Sequence, residues 1–349
     1  MRDLLRRPVW PLVALLLLNL AVMPSFFAVR LQDGRLYGSL IDILHNGAPL
    51  ALAALGMTLV IATRGIDLSV GTVVAISGAV ACTWIASSPD PASPGTALTG
   101  IGLALALAAA LGAWNGFLVA RLGIQPIIAT LVLMTAGRGL AQLVTDGQII
   151  TVNNGFFAGI SGSALLAVPL TVVVAAAVYA LVALVTRRTA LGTLVEAVGI
   201  NPEASRLAGV RSQSIVWTVY VFAALCAAVA GLMISSNVNA ADANNAGLWL
   251  ELDAILAVVI GGTSLAGGRY SIAGTLLGAL TIQTLTTTIY SVGIPPEVSL
   301  VFKALVVILV FLAQAPKVRA LMRRRRRRRD DAPPPAATAV PAETAGSGR

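Results

Sequence analysis

The side chains able to act on a solute in this 349-residue chain are polar groups set singly in apolar sequence: Asn115, Thr130, Arg138, Gln142, Asn245, Glu251, Asp253, Gln283 and Thr284. Amides, hydroxyls and isolated charges of this kind exchange hydrogen bonds, and without a base beside a nucleophile they do not break covalent ones. The groupings that would support bond chemistry are missing from the sequence. His45 is the one histidine, so no HExxH pair exists, and neither Lys303 nor Lys317 follows a glycine, so there is no Walker A loop. A GxSxG elbow is missing too. Cys82 and Cys226 lie far apart inside apolar stretches and read as packing residues, not as a disulfide or a metal pair. No cofactor and no metal are expected on the chain.

Elements that could position such groups follow from composition. A chain that is 57% hydrophobic and 11% charged, with a mean hydropathy of +0.87, carries more apolar surface than a soluble core could bury and belongs in lipid. Runs of about 20 apolar residues match a hydrocarbon layer of about 30 Å. Ten runs qualify, at 9–27, 46–63, 70–87, 98–120, 124–144, 164–186, 215–235, 252–265, 271–290 and 298–315, the eighth being the shortest. The prediction is an all-α integral membrane fold of about ten transmembrane helices with both termini cytoplasmic.

The basic residues test that count independently. With the N-terminus inside, Arg2, Arg6, Arg7, Arg64, Arg121, Arg187, Arg188, Arg206, Arg211, Arg269, Lys317, Arg319 and the arginines at 323–329 all fall inside, whereas the outer loops hold only Arg30 and Arg35. This is the asymmetry that orients inner-membrane proteins. Residues 1–8 form a cytoplasmic N-terminus, 9–315 the membrane domain, and 316–349 a basic and then Pro- and Ala-rich tail that composition marks as disordered. The first run is too long for a secretory signal and lacks a small-x-small site, so it reads as an uncleaved anchor. The seven arginines after the last run suit a stop-transfer cluster at anionic lipid better than a nucleic-acid site.

Three local features stand out. Gly112 with Gly116, and Gly274 with Gly278, have the spacing that lets helix backbones approach closely. The segment from Gly65 to Gly71, with Asp67 and Ser69 between the two glycines, is either a tight re-entrant turn or an ordinary cytoplasmic hairpin. A weak echo of Val60-Ile61 at Val259-Ile260 makes a two-fold internal pseudo-repeat a candidate. Arg138, between Gly137 and Gly139, is expected to face the bundle interior with a carboxylate as partner, because an isolated charge in a span is costly.

The longest internal cytoplasmic segment, 187–214, carries a short punctuated helix. Asn201 suits the N-cap, Pro202 the first turn and Gly209 the stop. Ala204, Leu207 and Ala208 lie at i, i+3 and i+4 and make a small apolar face, with Glu203 and Arg206 left for polar contacts. A helix this short is not stable alone, so it docks either on the protein's own helix ends or on a cytoplasmic partner.

The run EAVGINPEASRLAGV at 196–210 resembles the coupling-helix loop of the ribose-type sugar permeases of ABC importers, A-x-G-x-N-x-x-A-A-x-x-x-G-I, with Ser205 where a second alanine is usual. GIDLSVG at 65–71 and the blocks at 115–148 and 251–269 resemble the same family, in the same order, and the likeness extends over roughly residues 11–316. Within the family, segments 31–44 and 241–262 look most like galactofuranose permeases.

That resemblance implies a sugar-import subunit that pairs with a second permease and receives a monosaccharide from a periplasmic binding protein. A cytoplasmic ATPase that carries the Mg-ATP would drive it; the alternative is an ion-coupled secondary transporter of a small polar solute, for which Asp67 beside a broken helix is the supporting feature. The resemblance assigns coupling to Glu196, Gly199, Asn201, Pro202, Glu203, Ala204, Arg206, Leu207, Ala208 and Gly209. A neutral sugar needs paired donors and acceptors as it sheds water. Asn115, Arg138, Gln142, Asn245, Glu251, Asp253 and Gln283 are the candidates for its path, although Glu251 and Asp253 suit a structural ion pair equally. The polar outer loops 145–163 and 236–251 suit contact with the binding protein.

Overall fold

The computed structural model describes residues 9–32 and 34–293, with a few positions between 295 and 308. The expected N-terminal segment 1–8, the tenth span with Lys303, and the tail with its arginine cluster lie outside the described residues or almost wholly so. All that follows belongs to the unit that ends at Ala304.

Twelve α-helices are described. α1 (Val9–Val22) is followed by a 3-10 turn at Pro24–Phe27 and by the hairpin of β1 (Arg30–Gln32) and β2 (Arg35–Tyr37). Then come α2 (Ser39–Ala62), α3 (Val70–Ser87), α4 (Pro94–Ala120), α5 (Pro126–Val144), β3 (Ile150–Thr151), α6 (Gly155–Gly162), β4 (Ala164–Leu165), β5 (Val168–Pro169) and α7 (Leu170–Arg188). The remainder is α8 (Leu191–Ile200), α9 (Pro202–Leu207), α10 (Ser212–Val238), β6 (Ala240–Ala241), α11 (Leu250–Ile260) and α12 (Ile272–Ser291). Seven of these, α2, α3, α4, α5, α7, α10 and α12, are long and apolar enough to cross a membrane.

Several elements differ from the sequence expectation. The first span is helical over 14 residues, not to residue 27. The sixth begins as the β4–β5 hairpin, whose turn residues Leu166 and Ala167 both have positive φ, and becomes helical only at Leu170. The eighth is a helix of 11 residues, about 16 Å long at ~1.5 Å per residue. It stops at Gly261-Gly262, where Gly262 turns left-handed.

α2 and α3 form the centre, and most of the residues along both are buried. Alanine and glycine supply seven of the 24 residues of α2, and such small residues let neighbours approach where lipid supplies no hydrophobic drive. α10 packs across α2, α3 and α4, while α4, α5 and α7 leave rows of Leu, Val and Ile exposed. Both expected glycine pairs are packing faces. Gly112 and Gly116 lie against Tyr220, Ala224 and Trp217 of α10, and Gly274 and Gly278 lie against Gly261 and Ala257 at α11. At the end of the bundle where α2 begins, β3 pairs with β6, which ties the two long connections 145–154 and 239–249 together.

Candidate functional site

At the other end, where α2 finishes, α9 is held by its own sequence. Asn201 Oδ1 accepts hydrogen bonds from the backbone N–H of Glu203 (3.1 Å) and Ala204 (3.0 Å), and Pro202 takes the first helical position. Gly209, at φ +85°, closes the helix, with Gly209 N–H donating to Arg206 C=O and Val210 N–H to Ser205 C=O. Ser205 turns inward, and Glu203 pairs with Arg206 on the surface. The Arg206 hydrogen bond holds the Glu203 carboxyl below its ordinary range. Ala204, Leu207 and Ala208 point away from the protein, Leu207 being 77% exposed.

The same segment contains a helix that sequence reasoning missed. α8 buries Val195, Val198 and Gly199 and leaves Glu196 half-buried, so the 187–214 segment is two helices joined at Asn201, not a loop with one helix. The signal was present as Leu191, Leu194, Val195 and Val198 at helical spacing. Two glycines in ten residues weakened it.

The connection from α2 to α3 is buried. Asp67 is 2% and Ser69 1% exposed. Asp67 Oδ1 accepts from Ser69 N–H (2.9 Å) and Ser69 Oγ (2.6 Å), and Ser69 Oγ accepts from Asn115 Nδ2 (2.9 Å). Thr130 Oγ1 of α5 accepts from Leu68 N–H and reaches Ile66 C=O, each at 3.2 Å. Gly65 lies against the Tyr220 hydroxyl, 2.5 Å from where a Cβ would stand, and Gly71 against Glu251 Oε2 and Gly247 C=O. A side chain at either glycine would collide.

The candidate path residues fall into separate groups. Arg138 Nη1 donates to the carbonyls of Ala243 (3.0 Å) and Ala246 (2.7 Å), so its hydrogen-bond partners are backbone, not the expected carboxylate. The Asp242 and Glu251 carboxylates attract it over a longer range. Gln142 Nε2 donates to Asn244 Oδ1 (2.7 Å), and Asp242 gathers Asn245 Nδ2 (2.7 Å) with the N–H groups of Asn244 and Asn245. Burial pushes the Asp242 carboxyl up, but these donors and the Arg138 charge outweigh it and leave it below its ordinary range. Arg138 and Gln142 therefore fasten the α10–α11 connection to α5, while Asn245 bonds within that connection, to Asp242. Asn115 belongs to the α2–α3 connection, Glu251 abuts Gly71, and the Thr284 hydroxyl is bonded back to Leu280 C=O.

Asp253 and Gln283 instead line a cavity of about 270 Å³ near the start of α2. Its polar wall adds His45, Asn46, Ser161, Thr171, Asn237 and Thr286, and its apolar wall includes Leu50, Met233, Ile234 and Leu250. His45 Nδ1 meets Thr171 Oγ1 (2.9 Å) and Nε2 meets Asn237 Oδ1 (3.2 Å) and Ser161 Oγ (3.3 Å), joining α2, α6, α7 and α10. An apolar wall with a few convergent polar groups is what a small-molecule site requires, and the volume falls just below the range of such sites, which starts at about 300 Å³. Sequence reasoning missed all of these but Asp253 and Gln283. Among the described residues no group of three His, Cys, Asp or Glu side chains could hold a metal ion.

A bundle of membrane-length helices with a small polar cavity at one end and a capped, outward-facing short helix at the other has the layout of a permease subunit. Residues 39–311 match the family described as branched-chain amino acid transport system / permease component. The chain is 50% identical to the galactofuranose transporter permease protein YtfT of Escherichia coli, over 91% of this chain and 94% of that protein. It is 40% identical to the fructose import permease protein FruF of Bifidobacterium longum (89% and 88% covered) and 38% identical to the ribose import permease protein RbsC of Escherichia coli (88% and 93% covered). No solved structure matches. The chain belongs to this permease family, among its ribose-type sugar ABC importer members. It is a transport subunit and not an enzyme, a multi-pass protein of the inner membrane that works with a separate ATPase and a substrate-binding protein.

Proposed function

We propose that the chain carries galactofuranose, or a monosaccharide close to it in size and ring form, through the inner membrane, and that ATP-driven movement of the ATPase reaches it through α9. The observation that carries this reading is α9 itself. Its ends are satisfied by Asn201 and Gly209, and its apolar side chains, Leu207 foremost, face away from the protein. A helix of six residues so displayed gains by docking on a partner. The 50% identity to a galactofuranose permease over nearly the whole length supports the choice of sugar, and the 270 Å³ cavity supports its size.

In this reading the cavity end faces the periplasm and meets the binding protein through 145–163 and 236–251, and α9 faces the cytoplasm. A second permease, identical or related, completes the pore. The path runs through the Asp253 and Gln283 cavity, and Arg138 and Gln142, which do not line that cavity, brace the α10–α11 connection that leads to it. The segment from Gly65 to Gly71 is a re-entrant turn, which its burial and close packing support. Ten crossings place both termini inside, with α1 the first, α11 and the connection after it the eighth, and 298–315 the tenth.

The echo of Val60-Ile61 at Val259-Ile260 is the observation behind a two-fold internal duplication in this reading; the helices that carry it end alike, in a closure that α5 and α9 also use. α2 closes with Arg64 N–H to Ile61 C=O and Gly65 N–H to Val60 C=O, and α11 with Gly262 N–H to Val259 C=O and Thr263 N–H to Val258 C=O. Each is a Schellman closure around a left-handed residue, Arg64 or Gly262.

The test is uptake by proteoliposomes that hold the chain with its partner permease, ATPase and binding protein. Galactofuranose uptake should require ATP and outcompete ribose and fructose. Uptake driven by an ion gradient without ATP or the ATPase would sink the proposal.

A further inference from the structure

α2 ends in contact with the segment that carries α9, and the residue that makes the contact is out of character for its backbone. Arg64 has φ +65°, a left-handed conformation that glycine adopts freely and residues with a Cβ seldom do. At the matching closure of α11 the residue is Gly262. From this position Arg64 Nη2 donates a hydrogen bond to Ile200 C=O, at the C-terminal end of α8 and one residue before the Asn201 cap of α9. A cation there also meets the negative end of the α8 dipole.

The surroundings leave little slack. Gly268 N–H donates to Ala62 C=O at 2.8 Å. A Cβ on Gly199 would lie 1.9 Å from that same carbonyl oxygen and 2.6 Å from Gly268 N, and one on Gly267 would lie 2.4 Å from Arg64 Cγ. The end of α2, the α8–α9 joint and the connection after α11 thus meet in one knot. The knot is continuous with the transport machinery on both sides: beyond Arg64 the chain enters the buried Asp67–Ser69 connection, and α2 runs back, as one helix, to His45, Asn46 and Leu50 at the cavity.

We propose that Arg64 is the strut that passes movement of α9 to α2 and so to the cavity. It is a positioning residue that touches neither sugar nor nucleotide. The inference rests on the reading of α9 as the ATPase-docking helix. When α9 is displaced, the Ile200 carbonyl moves with it, and Arg64, fixed at its backbone by the α2 closure, transmits that displacement along α2.

The experiment compares Arg64→Gly and Arg64→Lys in the complete importer, reading co-purification of the ATPase, ATP hydrolysis, and sugar moved per ATP hydrolysed. Glycine suits the left-handed backbone, so Arg64→Gly removes the strut without disturbing the fold. It should keep assembly and hydrolysis while sugar moved per ATP falls about tenfold, a typical allosteric coupling. Arg64→Lys, which keeps a cation at Ile200 C=O, should restore most of that loss. A wild-type ratio in Arg64→Gly, a Lys variant as defective as the Gly variant, or loss of ATPase co-purification in Arg64→Gly would each overturn the proposal. Glu203→Arg in parallel should weaken ATPase co-purification, and intact assembly there would sink the docking reading separately from the result at Arg64.

Discussion

Asp242 holds together the turn that Arg138 and Gln142 fasten to α5, and its titration gives that turn a pH dependence. Its carboxyl lies below its ordinary value because hydrogen bonds from Asn244 and Asn245 and the Arg138 charge favour the ionised form. A depressed carboxylate contributes stability that is fully present above its unfolded pKa, near ~3.9, and is lost as pH falls through its folded pKa. Protection of the Asn244 and Asn245 amides from hydrogen exchange should therefore be constant from neutral pH down to about 5 and collapse below the carboxylate range. Asp242→Asn should remove that acid step, and protection unchanged by the substitution would refute the account. Residues differ in how far sequence reveals such roles. The Asn201 cap was legible because an N-cap acts on amides two and three positions away. The partners of Arg138 were not, because backbone carbonyls 105 and 108 residues distant carry no side-chain signature. His45 was opaque because its partners, though side chains, stand 116 to 192 positions away with no local spacing to link them.

Among the elements, α11 and α12 show how little room separates neighbouring helices. A Cβ on Gly278 would stand 1.9 Å from Ala257 C=O, a backbone atom that cannot swing aside. Gly278→Ala should cost about 1–3 kcal/mol through overpacking, despite alanine's better helix propensity. Gly102 on α4 has nothing within 4 Å of the same position, so Gly102→Ala should be neutral or slightly stabilising. Thermal unfolding of the two variants in detergent separates these outcomes, and equal midpoints would refute the packing argument. Both glycine pairs were visible at i, i+4 spacing, because helix packing in lipid selects small residues at one face. α6 and α8 were missed because both sit in segments that hydropathy treats as connections and because glycines, three in α6 and two in α8, weaken their helical pattern. The eighth span was overestimated because Gly261-Gly262 leaves hydropathy unchanged while ending the helix.

At the scale of the molecule, helix length alone does not fix the number of crossings: among the described residues seven helices are long enough, while α1 has 14 residues and α11 only 11. Charge supplies what length does not, because arginine is retained on the cytoplasmic side whatever the length of its neighbours. The sharpest place to test sidedness is α7. Its 19 residues span about 28 Å, close to a hydrocarbon thickness of about 30 Å, and they end in Arg187 and Arg188. Leu166 precedes it, 92% exposed at the tip of the β4–β5 turn, and Leu207 follows it, 77% exposed on α9. Cysteines placed at these two positions can be labelled without first removing Cys82 and Cys226, which are both buried. A membrane-impermeant maleimide should label Leu166→Cys on intact spheroplasts and Leu207→Cys only after the membrane is opened. Equal labelling of both from outside would put α9 in the periplasm, out of reach of any ATPase, and would remove the physical basis for coupling through it.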